Sequence, residues 1–307
     1  MRLFDTVSLS LFVAVCDEKS IASAAQQEGI VPSAVSKRIS ALEDSVGARL
    51  LERGRRGVEP TPAGEVLLRY ARELLAGMDR MHGELGAFAQ GIQGHIRIHA
   101  SMSAVAEFLQ KDIGEFLRHH EQVRVTVVEK VTAEIIRAVE EGRADLGVCW
   151  GDVDTRRLKR VPYRFDDLVL AVHRGHPLAS CQVARFADIV RYDVVDILVG
   201  SIVQARLQKE AAAIGQPLRY RVQVTTFDAA CRAVADNLGC AFIPRGLVRE
   251  SEELRTIPIS DAWAHRRFVV CARDDEQLSL PARLLIHSLA ASAAPAAISG
   301  GNDHREE

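Results

Sequence analysis

The sequence predicts a multidomain chain: an all-α N-terminal module with a two-stranded wing, one long linker helix, and a C-terminal α/β domain. Three observations predict it. Helical apolar spacings broken by tight turns fill residues 1–60. An unbroken heptad run occupies residues 62–90. From residue 95, apolar runs of strand length alternate with helical patterns, which argues for an α/β fold with mostly parallel strands. The 307 residues suffice for two or three domains, and 48% hydrophobic content is ample for their cores.

Phe4, Val7, Leu11 and Val15 repeat at helical spacing and predict a first helix over about 4–17. The early Arg2 and the apolar run give this stretch some likeness to an export signal. Asp5 interrupts it, Asp17 and Glu18 follow at once, and Val15 is bulky where cleavage needs a small residue. A cytoplasmic amphipathic helix is the better reading. No stretch approaches the roughly 18 uncharged apolar residues of a membrane span, so no membrane partner is expected.

Ser20 is an N-cap for the second helix, whose inward face is Ile21, Ala24 and Ala25, and Gly29 ends it. Pro32 opens the third helix, because its missing N–H is not needed in a first turn. Here Val35, Ile39, Leu42 and Val46 form an anchoring stripe. Ser33, Ser36, Lys37 and Ser40 line the opposite side. Two helices joined by a short turn make a helix-turn-helix unit. In the following "ARLLERGRRGVEPT", Gly54 and Gly57 flank Arg55-Arg56 and predict a hairpin, the wing.

Pro62 starts the long helix, which runs to about Gln90. Leu67, Ala71, Leu74, Met78, Met81, Leu85 and Phe88 alternate steps of four and three over three repeats. Such a seam on a helix roughly 40 Å long, at ~1.5 Å per residue, needs a partner helix. "GIQG" at 91–94 is a hinge. Strands then follow at 95–100, 123–129, 144–150, 168–174, 193–198, 220–225, 240–246 and 266–273. Helices are expected up to about 120, at 133–141, near 184–190, and at 202–214, 227–237 and 281–291. Residues 292–307 read as a disordered tail.

Net charge is −2, so any nucleic-acid surface must be local. Residues 1–60 carry eight basic and eight acidic side chains, and the span 31–61 is +2. Six cysteines are too widely spaced for a CxxC metal or redox motif and are expected to be small buried hydrophobes. No GxSxG, Walker A or GxGxxG motif occurs. His173 and His176 are spaced by three, with Asp166-Asp167 as a weak further ligand; His176 is expected to be structural, and no metal site is expected.

"SIASAAQQEGIVPSAVSKRISALEDSVGARLLERGRRGVEPTPAG", residues 20–64, resembles the DNA-binding region of LysR-type transcriptional regulators. The shared marks are Ser-Ile…Ala-Ala, Ser-Ala-Val-Ser-Lys-Arg-Ile, Leu-Glu-Asp, Gly-x-x-Leu-Leu-x-Arg and Pro-Thr-x-Ala-Gly. "EGRADLGV" and "HPLA" sit where the family carries similar segments. The resemblance implies a winged helix-turn-helix domain at 1–61, a dimerising helix at 62–91 and a two-lobed, periplasmic-binding-protein-like effector domain at 92–291. Its first lobe would be about 94–165 and 268–291, its second about 166–267, joined by two crossing strands. The resemblance also implies a homotetramer, a dimer of dimers, on an inverted-repeat promoter site in double-stranded DNA, and it admits RNA polymerase as a partner. No cofactor is expected beyond a small-molecule effector.

The residues support a DNA-reading role on their own chemistry. A recognition helix needs one face anchored and one free to enter the major groove. Pro32, Ser33, Ser36 and Lys37 stand near the helix N-terminus, where backbone N–H groups also meet phosphate. Ser40 continues that face, Arg38 suits a phosphate contact or plain surface, and Arg53, Arg55 and Arg56 of the wing form an electrostatic clamp. In the effector domain, ligands bind at strand C-terminal ends and helix N-termini. Those positions are Ser101, Ser103, Thr132 (expected as an N-cap), Gly200, Ser201, Thr226 and Phe227. Converging hydroxyls and N–H groups suit a small carboxylate or other anion. Ser103 and Thr132 match positions that commonly contact effector in the family; the competing reading is that each hydroxyl only caps a helix. Trp150 either walls the cleft or is plain core.

Three rivals were weighed. A solute-binding transport protein would need an export signal and has no use for residues 1–90. An architectural DNA protein would sense no ligand. An enzyme would need a catalytic set, and none can be assembled.

Overall fold

The computed structural model describes residues 4–54, 57–90, 92–155, 157–248 and 251–292. Arg55 and Arg56 of the wing, Gly91 of the hinge and the tail from residue 293 lie outside the described residues.

The N-terminal module packs three helices, α1 (Thr6–Glu18), α2 (Ile21–Gln27) and α3 (Pro32–Val46), on one core. Asp5 caps α1 by accepting from the Ser8 N–H at 2.9 Å. The helix therefore starts at Thr6, and the expected stripe is shifted. Phe4 and Val7 are exposed, and the buried face is Ser8, Leu11, Phe12 and Val15. Ser20 caps α2 through the Ser23 N–H, as its position predicted. In α3, Val35, Ile39 and Leu42 are buried but Val46 is exposed, because Gly47 takes a left-handed conformation and turns the chain off the core there.

The wing is the antiparallel pair β1 (Leu51–Gly54) and β2 (Gly57–Pro60). Two contacts hold its base. The Glu43 carboxylate accepts from the N–H groups of Leu50 and Leu51 at 2.8 and 3.2 Å, and the Val58 N–H donates to the Lys19 carbonyl at 2.8 Å. Gly57, at φ +108°, lies so close to Lys19 that a Cβ would meet its carbonyl oxygen.

Helix α4 (Pro62–Gln90) begins where the Thr61 hydroxyl accepts from the Gly64 N–H at 3.0 Å and donates to the Arg49 carbonyl at 2.7 Å. Its apolar seam is not the one the heptads predict. Of the early positions of the expected seam, Ala71 is buried in the N-terminal core and Leu67 packs against it, as does Leu68, which lies outside that seam. The outward stripe is instead Val66, Tyr70, Leu74, Met81 and Leu85, all about half exposed or more. The two readings merge only from Leu74 onward.

The first lobe contains β3 (Gly94–Ala100), α5 (Met102–Ala104), a π-helical turn (Val105–Leu109), α6 (Gln110–His119), β4 (Val123–Glu129), α7 (Thr132–Glu140) and β5 (Leu146–Trp150). β6 (Lys159–His173) then leaves for the second lobe. There follow α8 (Phe186–Ile189), β7 (Asp193–Ile197), α9 (Ile202–Ala213), β8 (Arg219–Val224), α10 (Phe227–Ala235), β9 (Ala241–Pro244) and β10 (Leu254–Pro258). β11 (His265–Ala272) returns to the first lobe, which α11 (Leu280–Ala291) completes.

The sheets are mixed, which corrects the expectation of mostly parallel strands. β3 pairs in parallel with β4 and β5, and β7 with β8. β11, however, is antiparallel to both β5 and β6, and β6 is antiparallel to β9 and β10. The cause is connectivity: a chain that crosses to a second lobe on β6 must come back on β11 in the opposite direction. β6 is also 15 residues long, about twice the strand predicted at 168–174, because its charged first half does not read as an apolar run. That half pairs with β11 through Asp167, and the second half pairs with β9 and β10 from Leu168. One strand thus belongs to both lobes.

Gly64 packs against the wing so tightly that a Cβ would run into the Leu50 carbonyl oxygen. Gly64→Ala is expected to destabilise the N-terminal module by about 1–3 kcal/mol, the usual cost of overpacking, read as an earlier urea transition of the full chain.

Candidate functional site

Two sites emerge. The first is the outer face of α3. Pro32, Ser33, Lys37 and Ser40 are exposed and Ser36 is half-buried, so the polar face stands free on a helix whose other face is anchored. Val31 precedes the helix without capping it by a side chain, which leaves the first-turn N–H groups open beside Pro32 and Ser33. Arg38 differs from its neighbours. Its guanidinium turns back to α1, 3.4 Å from both the Asp5 carboxylate and the Ser8 hydroxyl. It braces α3 against α1 rather than standing free. In the wing, Arg53 lies on β1 opposite Val58.

The second site is a cleft between the lobes, open to solvent at its mouth. Ser101, Ser103, Thr132, Ser201 and Phe227 line it, together with Trp150. Gly200 and Thr226 do not. Thr226 is exposed and its hydroxyl caps α10 at the Ala229 N–H, 3.2 Å away. Gly200 donates its N–H to the Gln204 Oε1 at 2.7 Å, which orients a side chain that does line the cleft.

The hydroxyls divide into two classes. Ser201 is a cap: its oxygen accepts from the Gln204 N–H at 3.1 Å. Ser103 accepts a long bond from Arg266 at 3.5 Å. Ser101 and Thr132 are different. Thr132 is not an N-cap, since Val131 holds that position and Thr132 is the first helical residue. The Ser101 hydroxyl caps nothing either. Both oxygens are buried with no hydrogen-bond partner. A buried hydroxyl left unpaired costs stability, so these two have the character of ligand-binding groups rather than caps.

Behind the cleft lies a charge cluster that short motifs did not reveal. Asp166 on β6 and Arg266 on β11 are directly opposite across the antiparallel pair. They form a bidentate, fully buried ion pair with one bond at 2.7 Å. Arg266 also lines the cleft. Glu107, in the π-helical turn, faces the same group. Burial and then the Asp166 carboxylate push its carboxyl up to about 8, against the weaker opposing pull of Arg266. Single-turn π-bulges often mark functional positions.

On the second-lobe wall, Asp196 and Gln204 are buried and line the cleft. At the rim, Arg206 of α9 reaches Asp152 of the first lobe at 2.9 Å and stands over the Trp150 ring at 5.6 Å. Trp150 is therefore both nearly buried and a wall of the cleft. His176 accepts from the Leu178 N–H at 3.1 Å and packs edge-on against Tyr192, which gives it the structural role expected of it. Five cysteines are buried and Cys181 is partly so, in line with their expected packing role. No helix among the described residues is long and apolar enough to cross a membrane.

Glu107 makes a pH signature. Between about pH 4.5 and 8 the folded chain holds a proton that the unfolded chain has released, so its contribution to stability is full below that window and is lost as pH rises through it. Glu107→Gln, neutral throughout, is expected to flatten this part of the stability profile. Urea midpoints at about pH 5, 6.5 and 8 for both proteins would check it.

Residues 7–65 match the family model described as bacterial regulatory helix-turn-helix protein, lysR family. Residues 89–294 match the LysR substrate binding domain. "Probable HTH-type transcriptional regulator LrrA" of Synechococcus elongatus is 31% identical over 242 residues, covering 77% of this chain and 80% of that relative. Full-length CbnR in complex with its target DNA matches with TM-score 0.64 at 19% identity, covering 95% of this chain and 100% of CbnR. A full-length OxyR variant from Pseudomonas aeruginosa matches with TM-score 0.71 at 17% identity, covering 95% of each chain. At these identities the two solved structures speak for the fold alone.

Proposed function

This chain belongs to the LysR family, a DNA-binding transcriptional regulator with an effector domain and not an enzyme, and from that premise we propose which residues read DNA and what the cleft holds. The outer face of α3, namely Pro32, Ser33, Ser36, Lys37 and Ser40, enters the major groove, and the wing arginines Arg53, Arg55 and Arg56 grip phosphate. The anchored-versus-free division of α3 supports this, as does the DNA complex formed by the neighbour CbnR. Arg38, committed to Asp5 and Ser8, contributes mainly by bracing the helix.

The near-neutral charge of the N-terminal module favours binding by several copies together. The exposed stripe Val66, Tyr70, Leu74, Met81 and Leu85 on α4 supports pairing with the same helix of a second copy, in a dimer and then a tetramer on an inverted repeat.

The effector is a small carboxylate or similar anion. The observation that carries this is the pair of buried, unpartnered hydroxyls, Ser101 and Thr132, at one wall of the cleft. Lys130 also lines the cleft and supplies positive charge on that side, although its ammonium pairs with Glu134 at 3.4 Å. Effector binding biases the lobe arrangement, and through it the paired DNA-binding modules, as a population shift.

Two outcomes test these readings. Ser36→Ala and Lys37→Ala are each expected to weaken specific binding by about 1–3 kcal/mol, roughly 10- to 100-fold, on a duplex selected from a random pool, with assembly unchanged by light scattering. Gel shifts equal to wild type for both variants would remove α3 as the reader. For the cleft, carboxylates that raise the melting temperature of the full chain are expected to lose that effect in Thr132→Val, while the unliganded variant melts no lower than wild type. A lower melting temperature without ligand would mean that the hydroxyl has a structural partner after all.

A further inference from the structure

The two walls of the cleft ask for different chemistry. The first-lobe wall offers the Ser101 and Thr132 hydroxyls and the Lys130 ammonium. On the second-lobe side the lining is largely apolar; Ser201 is committed as a cap and Arg266 to Asp166, which leaves Asp196, near the C-terminal end of β7 and only 4% exposed. Both side-chain bonds to this carboxylate come from neutral amides and fall on Oδ2. Gln204 Nε2 donates at 2.5 Å and Gln223 Nε2 at 3.2 Å. Gln204 is itself fixed, because its Oε1 accepts from the Gly200 N–H at 2.7 Å.

Two side chains, one from α9 and one from β8, therefore hold the carboxylate in place. Among the described residues, no cation forms an ion pair with Asp196. A carboxylate has about four acceptor positions, so this one keeps capacity for a further donor. A buried anion without a counter-charge is costly unless something supplies the missing charge or hydrogen bond. Burial accordingly raises the Asp196 carboxyl above its ordinary range, even though the two glutamines and the Ile197 backbone N–H oppose the shift.

We propose that Asp196 sets the class of effector: a monocarboxylic acid whose second polar group is a hydrogen-bond donor, an ammonium before a hydroxyl. The inference rests on the reading that the first-lobe hydroxyls take a carboxylate. With the acid group at Ser101 and Thr132, the donor faces Asp196 and the remaining body packs on the apolar wall that includes Phe227 and Phe242. The same arrangement selects against dicarboxylates, because a second carboxylate would be set beside a buried anion. An ammonium outranks a hydroxyl because it brings the charge that the wall lacks.

The test is calorimetric titration of the full chain with matched acids that differ only in the second group. Three bodies serve: isocaproate, leucate and leucine; hydrocinnamate, phenyllactate and phenylalanine; para-toluate, para-hydroxymethylbenzoate and para-aminomethylbenzoate. Succinate and glutarate represent the dicarboxylates. Within a body that binds, the donor-bearing acids are expected to exceed the unsubstituted acid by about tenfold or more, as sites built to hydrogen-bond a ligand group reject analogues lacking it. Asp196→Asn is expected to collapse the affinity ratio between the ammonium-bearing acid and the unsubstituted acid of the same body toward one. The wild-type series stands by itself if that variant folds poorly. Unsubstituted acids or dicarboxylates binding as tightly as the donor-bearing ones would overturn the role of Asp196 and leave the carboxylate cleft intact. Binding by no member of the panel would overturn both.

Discussion

The effector domain depends on one interaction, the buried pair between Asp166 and Arg266. They come from the two strands that cross between the lobes, and they face each other where β6 passes from one lobe to the other. A buried ion pair is a poor source of net stability, since desolvation cancels much of the attraction, but losing one member strands a charge. The pair therefore restricts which residues the crossing tolerates and which register the strands adopt. It also ties that crossing to the cleft, because Arg266 lines it and reaches the Ser103 hydroxyl. Glu107, kept largely protonated near neutral pH by burial and by Asp166, completes a compact charge cluster at the point where the lobes would rotate. Rearranging the lobes means rearranging this cluster, and a two-state element of that kind is what an effector needs in order to act at a distance.

The N-terminal module solves a different problem, which is holding a small neutral helix face rigid enough to read bases. α3 has no side-chain N-cap and only three buried apolar residues. Its rigidity comes from outside: Arg38 to α1, Glu43 to the start of the wing, and Gly47 at the stop. This frees the serines from structural duty. Asp5 partly offsets the Arg38 charge, although both side chains remain about half exposed. With so little charge per copy, affinity has to come from multiplicity, which is why the apolar stripe on α4 matters to DNA binding as much as to assembly.

Local patterns made much of this legible. The caps at Ser20, Ser201 and Thr226, the Pro32 start and the buried stripe from Val35 to Leu42 all follow from neighbours a few residues apart. Illegible features depended on distant partners. Residues 166 and 266 are a hundred positions apart, so no spacing could pair them. Thr132 looked like a cap because its surroundings permit one; only the backbone shows the helix starting a residue earlier than expected, at Thr132 itself, with Val131 in the cap position. The α4 seam misled for a related reason. Heptad spacing finds an apolar face, but Leu67 and Ala71 already have a home in the N-terminal core, so in the first turns the free face lies one position round, at Val66 and Tyr70, and coincides with the expected one at Leu74, Met81 and Leu85.

The remaining step is how a ligand in the cleft could favour one lobe arrangement. A ligand shifts the balance only by the difference in its contacts between arrangements. The lobes already touch at the rim, where Arg206 meets Asp152 and covers Trp150, so proximity of the walls does not require a ligand. The differential has to lie deeper, between the unpaired hydroxyls of one wall and the carboxylate of the other. The first wall leaves two hydroxyls unpaired, the second holds a carboxylate without a counter-charge among the described residues, and the two are of opposite character. A molecule that carries both an acid group and a donor satisfies both walls only when they stand at one separation. An apolar acid could satisfy the first wall at any separation and would bind without switching, so the chemistry at Asp196 is also what would distinguish an effector from a mere occupant.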